Sequence, residues 1–335
     1  MRIAVDAMGG DFAPEQIVAG ALLAADELNA QLSLVGRPEA VEQCLGGRAR
    51  MNGQIEISPA SDVIEMGESP RAALRGREDS SVALAVAMVG DGSAQAVVSA
   101  GNSGAFMAVA TMRLGTIPGV KRPAIAITVP TPEGGYRVLL DAGANADCKP
   151  EHLRDFGLMG SVYAQYALQI EEPRVGLLSI GEEKVKGNEL TKAAYGMLEE
   201  ADLNFIGNVE GGDIFTGDAD VVVCDGFTGN VVLKTVEGVG GTIFRQIRES
   251  VSDSVVLCMF APLLRAAFRK VAKQFDYSEY GGALLLGVNG VSVVGHGCSN
   301  ANAVRNAIGF AYRAVEGELV EHMSAAFAER ESNGS

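Results

Sequence analysis

Short apolar runs alternate with helix-length amphipathic segments along almost the whole chain. RIAVDA (2–7) is followed by an amphipathic run from Pro14 to Leu28, then by QLSLVG (31–36) and another short helix. AQAVVSAG (94–101) leads into a helix starting near Ser103, and RPAIAITV and YRVLLDAG read as strands flanking the turn PTPEGG. A long helix from Pro150 to about Gln169 precedes RVGLLSIG (174–181), a helix near 188–200, NFIGNVE (204–210) and DVVVCDG (220–226). A helix at about 228–249, the strand SVVGHG (292–297) and a last helix from about Asn300 to Ala328 complete the series. Strands such as AVV, VLL and VVV are apolar on both faces, as expected where helices cover each side of a mostly parallel sheet. The alternation predicts a three-layer α/β/α architecture of Rossmann-like type. With no internal repeat or Ser/Pro linker, residues 1–330 read as one large domain, in one or two lobes, and 331–335 as a frayed tail.

Composition narrows the function classes. The 335 residues are 47% hydrophobic with 42 glycines, the usage of a globular protein rich in tight turns. A formal net charge of −15 and the absence of Trp argue against a nucleic-acid binder. An anionic partner must therefore meet a local basic patch. The five cysteines (Cys44, Cys148, Cys224, Cys258 and Cys298) lack CxxC or metal-ligand spacing and read as small reduced core residues in a cytoplasmic protein. Asp6 and Asp11 interrupt what a signal peptide would need as an apolar stretch, and no run approaches a membrane span.

The candidate chemistry stands at the carboxyl ends of the strands, where ligands bind in open α/β sheets. Seven such ends mix Gly with polar residues: DAMGGD (6–11), SAGNSGA (99–105), DAGANADCKPE (141–151), SIGEEKVKGNE (179–189), GNVEGGD (207–213), CDGFTGN (224–230) and GHGCSN (295–300). Gly permits close backbone approach, and helix N-terminal amides suit an anion. One such loop is an ordinary turn; seven are harder to explain that way. No dinucleotide or NTP fingerprint is present, and Ser103 is not in a GxSxG elbow. His152 and His322 fall in helical stretches and read as structural, whereas His296 lies in a strand-end loop. Asp6, Asp11, Asp141 and Asp225 form no metal-ligand spacing, and a divalent metal would require their convergence in space.

AVDAMGGD, SAGNSGA, LLDAGANADCKPEHL, LLSIGEEKVKGNE, FIGNVEG, DVVVCDGFTGNVVLKTVEG and YGGALLLGVNGVSVVGHG occur in this order. Together they resemble the PlsX-type phosphate acyltransferases of bacterial phospholipid synthesis, from residue 2 to about 312. The departures are small: Ser103 where Thr is usual, and Leu284-Leu285 where the family often has a Pro. The resemblance implies acyl transfer from acyl-[acyl carrier protein] to inorganic phosphate, with the acyl phosphate passing to a membrane glycerol-3-phosphate acyltransferase. It also implies a fold related to phosphotransacetylases and isopropylmalate dehydrogenases, a homodimer and no organic cofactor.

That reaction needs phosphate held in line with a thioester carbonyl, fixed donors for the oxyanion, and little acid help for a thiolate leaving group. Candidates for phosphate are the amides of Gly101–Gly104, the Asn102 and Ser103 side chains, and Thr228. Lys184 is the leading candidate to neutralise phosphate charge and Lys234 the weaker one. Asn230, Thr228, Asn208 and Asn145 are candidate carbonyl donors, His296 a proton donor or phosphate orienter, and Asp225 and Asp141 orienting groups. No metal ligand is assigned. A decarboxylating dehydrogenase and a non-catalytic carrier-docking scaffold are the competing readings.

VVLCMFAPLLRAAFRKVAK (255–273) sets an apolar stretch against the densest positive charge in an acidic chain. From Leu263 an apolar helical stripe runs to Phe275, with Arg265, Arg269 and Lys273 four apart on one edge and Lys270 nearby. Residues 250–278 are thus expected to form a helical protrusion. Leu257 and Phe260 are expected to touch lipid at its tip, and the four cations to dock acyl carrier protein or anionic headgroups.

Overall fold

The computed structural model describes residues 1–47, 53–131, 134–252 and 282–333. Leu257, Phe260, Leu263, Arg265, Arg269, Lys270 and Lys273 therefore lie outside the described residues. The strands are β1 Arg2–Asp6, β2 Gln31–Gly36, β3 Ile55–Pro59, β4 Ala96–Ser99, β5 Ala124–Pro130, β6 Tyr136–Leu140, β7 Val175–Leu178, β8 Phe205–Val209, β9 Val221–Val223, β10 Ala283–Leu286 and β11 Val291–Val294. They form one 11-stranded sheet in the order β3-β2-β1-β4-β11-β10-β5-β6-β9-β7-β8. The observed architecture is the expected α/β/α arrangement of a mostly parallel sheet.

Strand direction is where the site is decided. β3, β2, β1, β4 and β11 run parallel to one another, and so do β6, β9, β7 and β8. Between the two blocks lie three antiparallel steps: β11 to β10, β10 to β5, and β5 to β6. Three reversals leave the second block pointing opposite to the first. The seven Gly-rich loops therefore do not share one edge. Those after β1, β4 and β11 open at one edge, and those after β6, β7, β8 and β9 at the other.

The two faces of the sheet also differ. On one face a continuous core joins alternate residues of both blocks, including Ile3, Val5, Leu34, Val98, Leu140, Leu177 and Val293, to the helices Glu15–Glu27, Pro150–Leu168, Ala301–Glu316 and Leu319–Asn333. On the other face the core is split. One part packs Val97, Ile125 and Leu285 against the helices Ser81–Gly90 and Ser103–Leu114. The other packs Val129, Leu139 and Val222 with Ile214 of the short helix Asp213–Thr216. The gap between the two parts lies over β10, β5 and β6.

Helix boundaries follow local chemistry. Asn102, Asn188 and Asn300 cap their helices by accepting from Ala105 N, Thr191 N and Ala303 N, satisfying amides the helix cannot. The last helix, expected as one element, is two: it stops at Glu316, turns through Gly317 and Glu318 (φ 47°), and restarts at Leu319. Residues 331–333, expected as tail, belong to its second part, because Arg330 ties this end to Asp155 Oδ1 (2.6 Å) and the Gly119 carbonyl (3.0 Å). Among the described residues no helix is long and apolar enough to cross a membrane.

Candidate active site

A cleft of about 780 Å³ occupies the gap on the split face. Its floor is Ile125, Ile127 and Val129, alternate residues of β5, with Leu139 of β6 beside them. Its roof is the helix Gly226–Ser252, which contributes Asn230, Val232, Lys234, Val236, Glu237 and Phe244. One wall is Ser103, Gly104 and Met107 at the start of the Ser103–Leu114 helix, together with His296 and Gly297 after β11. The opposite wall is Ile214 and Phe215.

The polar wall is held by the loops after β1, β4 and β11, which pack backbone to backbone. Asp11 N donates to Gly297 O (2.8 Å) and Gly295 N to Ser99 O (2.8 Å). A Cβ on Gly9 would come 2.8 Å from Gly101 N, so glycine is required there by contact. Beneath them, buried Asp6 accepts from Ser99 Oγ (2.7 Å) and Met8 N (3.2 Å). Burial outweighs these bonds and raises its carboxyl above the usual value. The roof helix is anchored the same way: Gly226 N donates to Asn145 O (2.8 Å), and Gly229 packs on the Asp141 carbonyl. Asp141 accepts from the amides of Ile125, Gly143, Ala144 and Asn145 and from Asn145 Nδ2, at 2.7–3.1 Å.

The structure brings together Ser103, Gly104, Asn230, Lys234 and His296, all of which line the cleft. His296 Nδ1 accepts from Cys298 N (3.3 Å) and lies 3.0 Å from Cys298 Sγ, while Nε2 stands 4.0 Å from Glu237 Oε1. Glu237 also receives Lys234 Nζ (2.8 Å), so one carboxylate links the lysine and the imidazole. Glu237 is not among the residues expected from sequence; its position three residues after Lys234 on one helix is the available signal.

Other expected residues are engaged elsewhere. Asn102 spends Oδ1 on capping Ala105 N, and Nδ2 donates to the carbonyls of Met66 (2.9 Å) and Glu68 (2.7 Å), so it holds a neighbouring loop. Gly101 N donates to Ser99 Oγ (3.1 Å) and supports the wall from behind. Thr228 Oγ1 donates to Asp225 (2.7 Å), and Asp225 also accepts Thr228 N (2.9 Å); the pair fixes the first turn of the roof helix. Asn145 Nδ2 is shared between Asp141 and the Pro123 carbonyl (2.8 Å each).

Lys184 and Asn208 belong to the loops of the second block. Lys184 Nζ pairs with Glu199 (2.5 Å) and lies over the Tyr195 ring, and Asn208 Nδ2 donates to Glu183 O (3.0 Å). Neither is among the residues lining the cleft. The preference for Lys184 over Lys234 is thus reversed: both lysines follow strands of the second block, but the roof helix carries Lys234 back over the sheet into the cleft, from which Lys184 is separated. Asp6 and Asp11 are likewise separated from Asp141 and Asp225, and among the described residues no three His, Cys, Asp or Glu gather as a metal site. His152 Nδ1 accepts Lys149 N (3.2 Å) and His322 stacks on Tyr166 at 3.6 Å, both structural as expected. Burial and the nearby Asp141 push the Cys148 thiol up to about 12, and burial raises Cys224 as well.

The fold is similar to that of a phosphotransacetylase from Streptococcus pyogenes, at 16% identity with 94% of each chain covered and a TM-score of 0.64. A branched-chain phosphotransacylase from Enterococcus faecalis covers 94% of this chain and 99% of its own at 17% identity and a TM-score of 0.60. In sequence, the chain is 52% identical to a phosphate acyltransferase of Heliobacterium modesticaldum, with 96% of each chain covered. It is 44% identical to one from a Nostoc species, with 98% of this chain and 96% of the relative covered. The family model described as fatty acid synthesis protein matches residues 1–322. The chain belongs to that family, whose members include the phosphate acyltransferases it matches along almost its whole length.

Proposed function

We propose that this enzyme moves a fatty acyl group from acyl-[acyl carrier protein] to inorganic phosphate, giving an acyl phosphate for phospholipid synthesis. The observation that carries the reading is the union, in one cleft, of an apolar floor with a polar wall bearing Ser103 and His296, and with Asn230 and Lys234 in the roof. The acyl chain lies on Ile125, Ile127 and Val129, which places the thioester carbonyl at the polar wall. Phosphate binds at the N-terminus of the Ser103–Leu114 helix, where the Ser103 and Gly104 amides and the helix dipole favour an anion.

In that position a phosphate oxygen attacks the carbonyl carbon, and the C–S bond breaks as the new C–O bond is completed. Asn230 Nδ2 is the proposed donor to the developing oxyanion, and Lys234 balances phosphate charge by turning from Glu237. The departing thiolate, with an ordinary thiol pKa of about 8.5, takes a proton from His296 or solvent. Asp225 keeps Thr228 and the first turn of the roof helix in place and does not act as a base. We further propose a homodimer that associates peripherally with membrane through 255–273, so that the acyl phosphate is delivered close to the membrane acyltransferase that consumes it.

The test is phosphate-dependent release of carrier thiol from acyl carrier protein, together with trapping of the acyl phosphate by hydroxylamine. Both are expected with the wild type, and Asn230→Ala is expected to lower kcat about 10²-fold. Carrier binding without thiol release would instead indicate a docking scaffold. NADH formation from a hydroxy acid would indicate a dehydrogenase.

A further inference from the structure

We propose that Ile214 and Phe215 form the stop of an acyl-chain ruler, setting the length of fatty acyl group the cleft accepts. This rests on the transferase reading and names the specificity of the same site. The reacting end is fixed by Ser103 and His296, beside β4 and β11. From β11 the floor crosses β10 and β5 to β6, three inter-strand steps, or about 14 Å at about 4.8 Å per step. The floor along that path is apolar at Ala283, Ile125, Ile127, Val129 and Leu139, and Thr128 is the polar residue of β5 that also lines the cleft. The path ends where Ile214 and Phe215 stand against Val129 and Leu139 in the second core of this face.

The stop is anchored rather than loose. Ile214 is only 2% exposed. The short helix carrying it starts where Glu210 N donates to Asp213 Oδ2 (2.8 Å) and ends where Gly217 N donates to Asp213 O (2.9 Å). The buried Arg137 guanidinium donates to the carbonyls of Phe215 and Gly217, clamping the helix onto β6. A chain that does not reach the stop gains burial with each added methylene. One that overreaches must bend or displace a wall set in a packed core, which is unfavourable.

The experiment measures kcat/KM over a series of saturated acyl carrier proteins of increasing length, for the wild type, Phe215→Ala and Phe215→Trp. The ruler predicts that the optimum moves to longer chains in Phe215→Ala and to shorter ones in Phe215→Trp. Discrimination at the ends of the series should change roughly fourfold per methylene. Opposed shifts are a signature that general damage to the fold cannot produce, and Phe215→Leu replaces Phe215→Ala should the latter not fold. A proportional change at every length, or an optimum unmoved in both variants of an active enzyme, overturns the ruler and leaves the transferase reading standing. A wild type that makes no acyl phosphate from any length overturns both.

Discussion

Asp141 is a carboxylate with 0% exposure that accepts five N–H bonds from Ile125, Gly143, Ala144 and Asn145. Burial raises its pKa, yet only a carboxylate offers acceptors to every donor around it. Asp141→Asn would turn an amide nitrogen toward those donors, and Asp141→Ala would leave them unpaired. Either is expected to cost roughly 3 kcal/mol or more in urea unfolding, and a loss under about 1 kcal/mol would contradict this account. Asp6 gives the pH counterpart. Its carboxyl is raised in the fold from 3.8, so the native state binds more protons than the unfolded one between that value and the raised one. Its contribution is therefore fully present below 3.8 and declines as pH rises through the raised value. Asp6→Asn should flatten that decline in urea midpoints taken from pH 4 upward, and an unchanged slope would rule it out. At this scale the sequence was least legible. Asn102, Asn145 and Thr228 are the residue types that bind phosphate and carbonyls, but the same types cap helices and clamp loops. Only their partners in space separate the two uses.

Elements were easier to read than residues. The alternating apolar runs located most strands and helices because buried strands are short and the helices carry 3.6-residue periodicity. The helix Ser81–Gly90 escaped because SVALAVAMVG is apolar all round and has almost no stripe. The break at Gly317 escaped because one glycine inside a periodic run does not by itself end a helix. Glycines within helices provide a sharp test of the packing. Gly to Ala normally gains about 0.8–1 kcal/mol in an open helix interior, and Gly196, with nothing within 4 Å of its Cβ position, should gain about that much. Gly229 should do the opposite. A Cβ there would lie 1.9 Å from the Asp141 carbonyl oxygen, so the roof helix must move. Gly229→Ala should lower the melting temperature and, by displacing Asn230, reduce acyl phosphate formation at least tenfold. Equal, small effects of the two substitutions would show that the roof helix is not held by that contact.

For the whole molecule, the layers followed from the sequence but the direction of the strands did not. The turn PTPEGG announced a β5–β6 hairpin, yet its consequence depends on β10 entering the sheet between β11 and β5. That pairing joins segments far apart in the chain, and no local pattern encodes it. It is why Ser103 and His296, beyond β4 and β11, stand at one edge of the sheet and Lys184, beyond β7, at the other. The overall charge poses a separate problem. In the proposed reaction a chain of formal charge −15 takes its substrate from an acidic carrier, so long-range electrostatics oppose the encounter unless a local patch reverses the field. Arg265, Arg269, Lys270 and Lys273 are the densest such patch in the sequence. Reversing all four to Glu should raise KM for acyl carrier protein at least tenfold at low salt with kcat little changed, because docking contributes equally to ground and transition states. The gap should narrow as ionic strength rises and the Debye length falls from about 30 Å at 0.01 M to about 8 Å at 0.15 M. An uncharged acyl-pantetheine thioester should be used equally well by both proteins, since it carries no acidic carrier to dock. Equal loss with both substrates would assign the four cations to the integrity of the cleft instead, and unchanged KM with the carrier would remove them from docking.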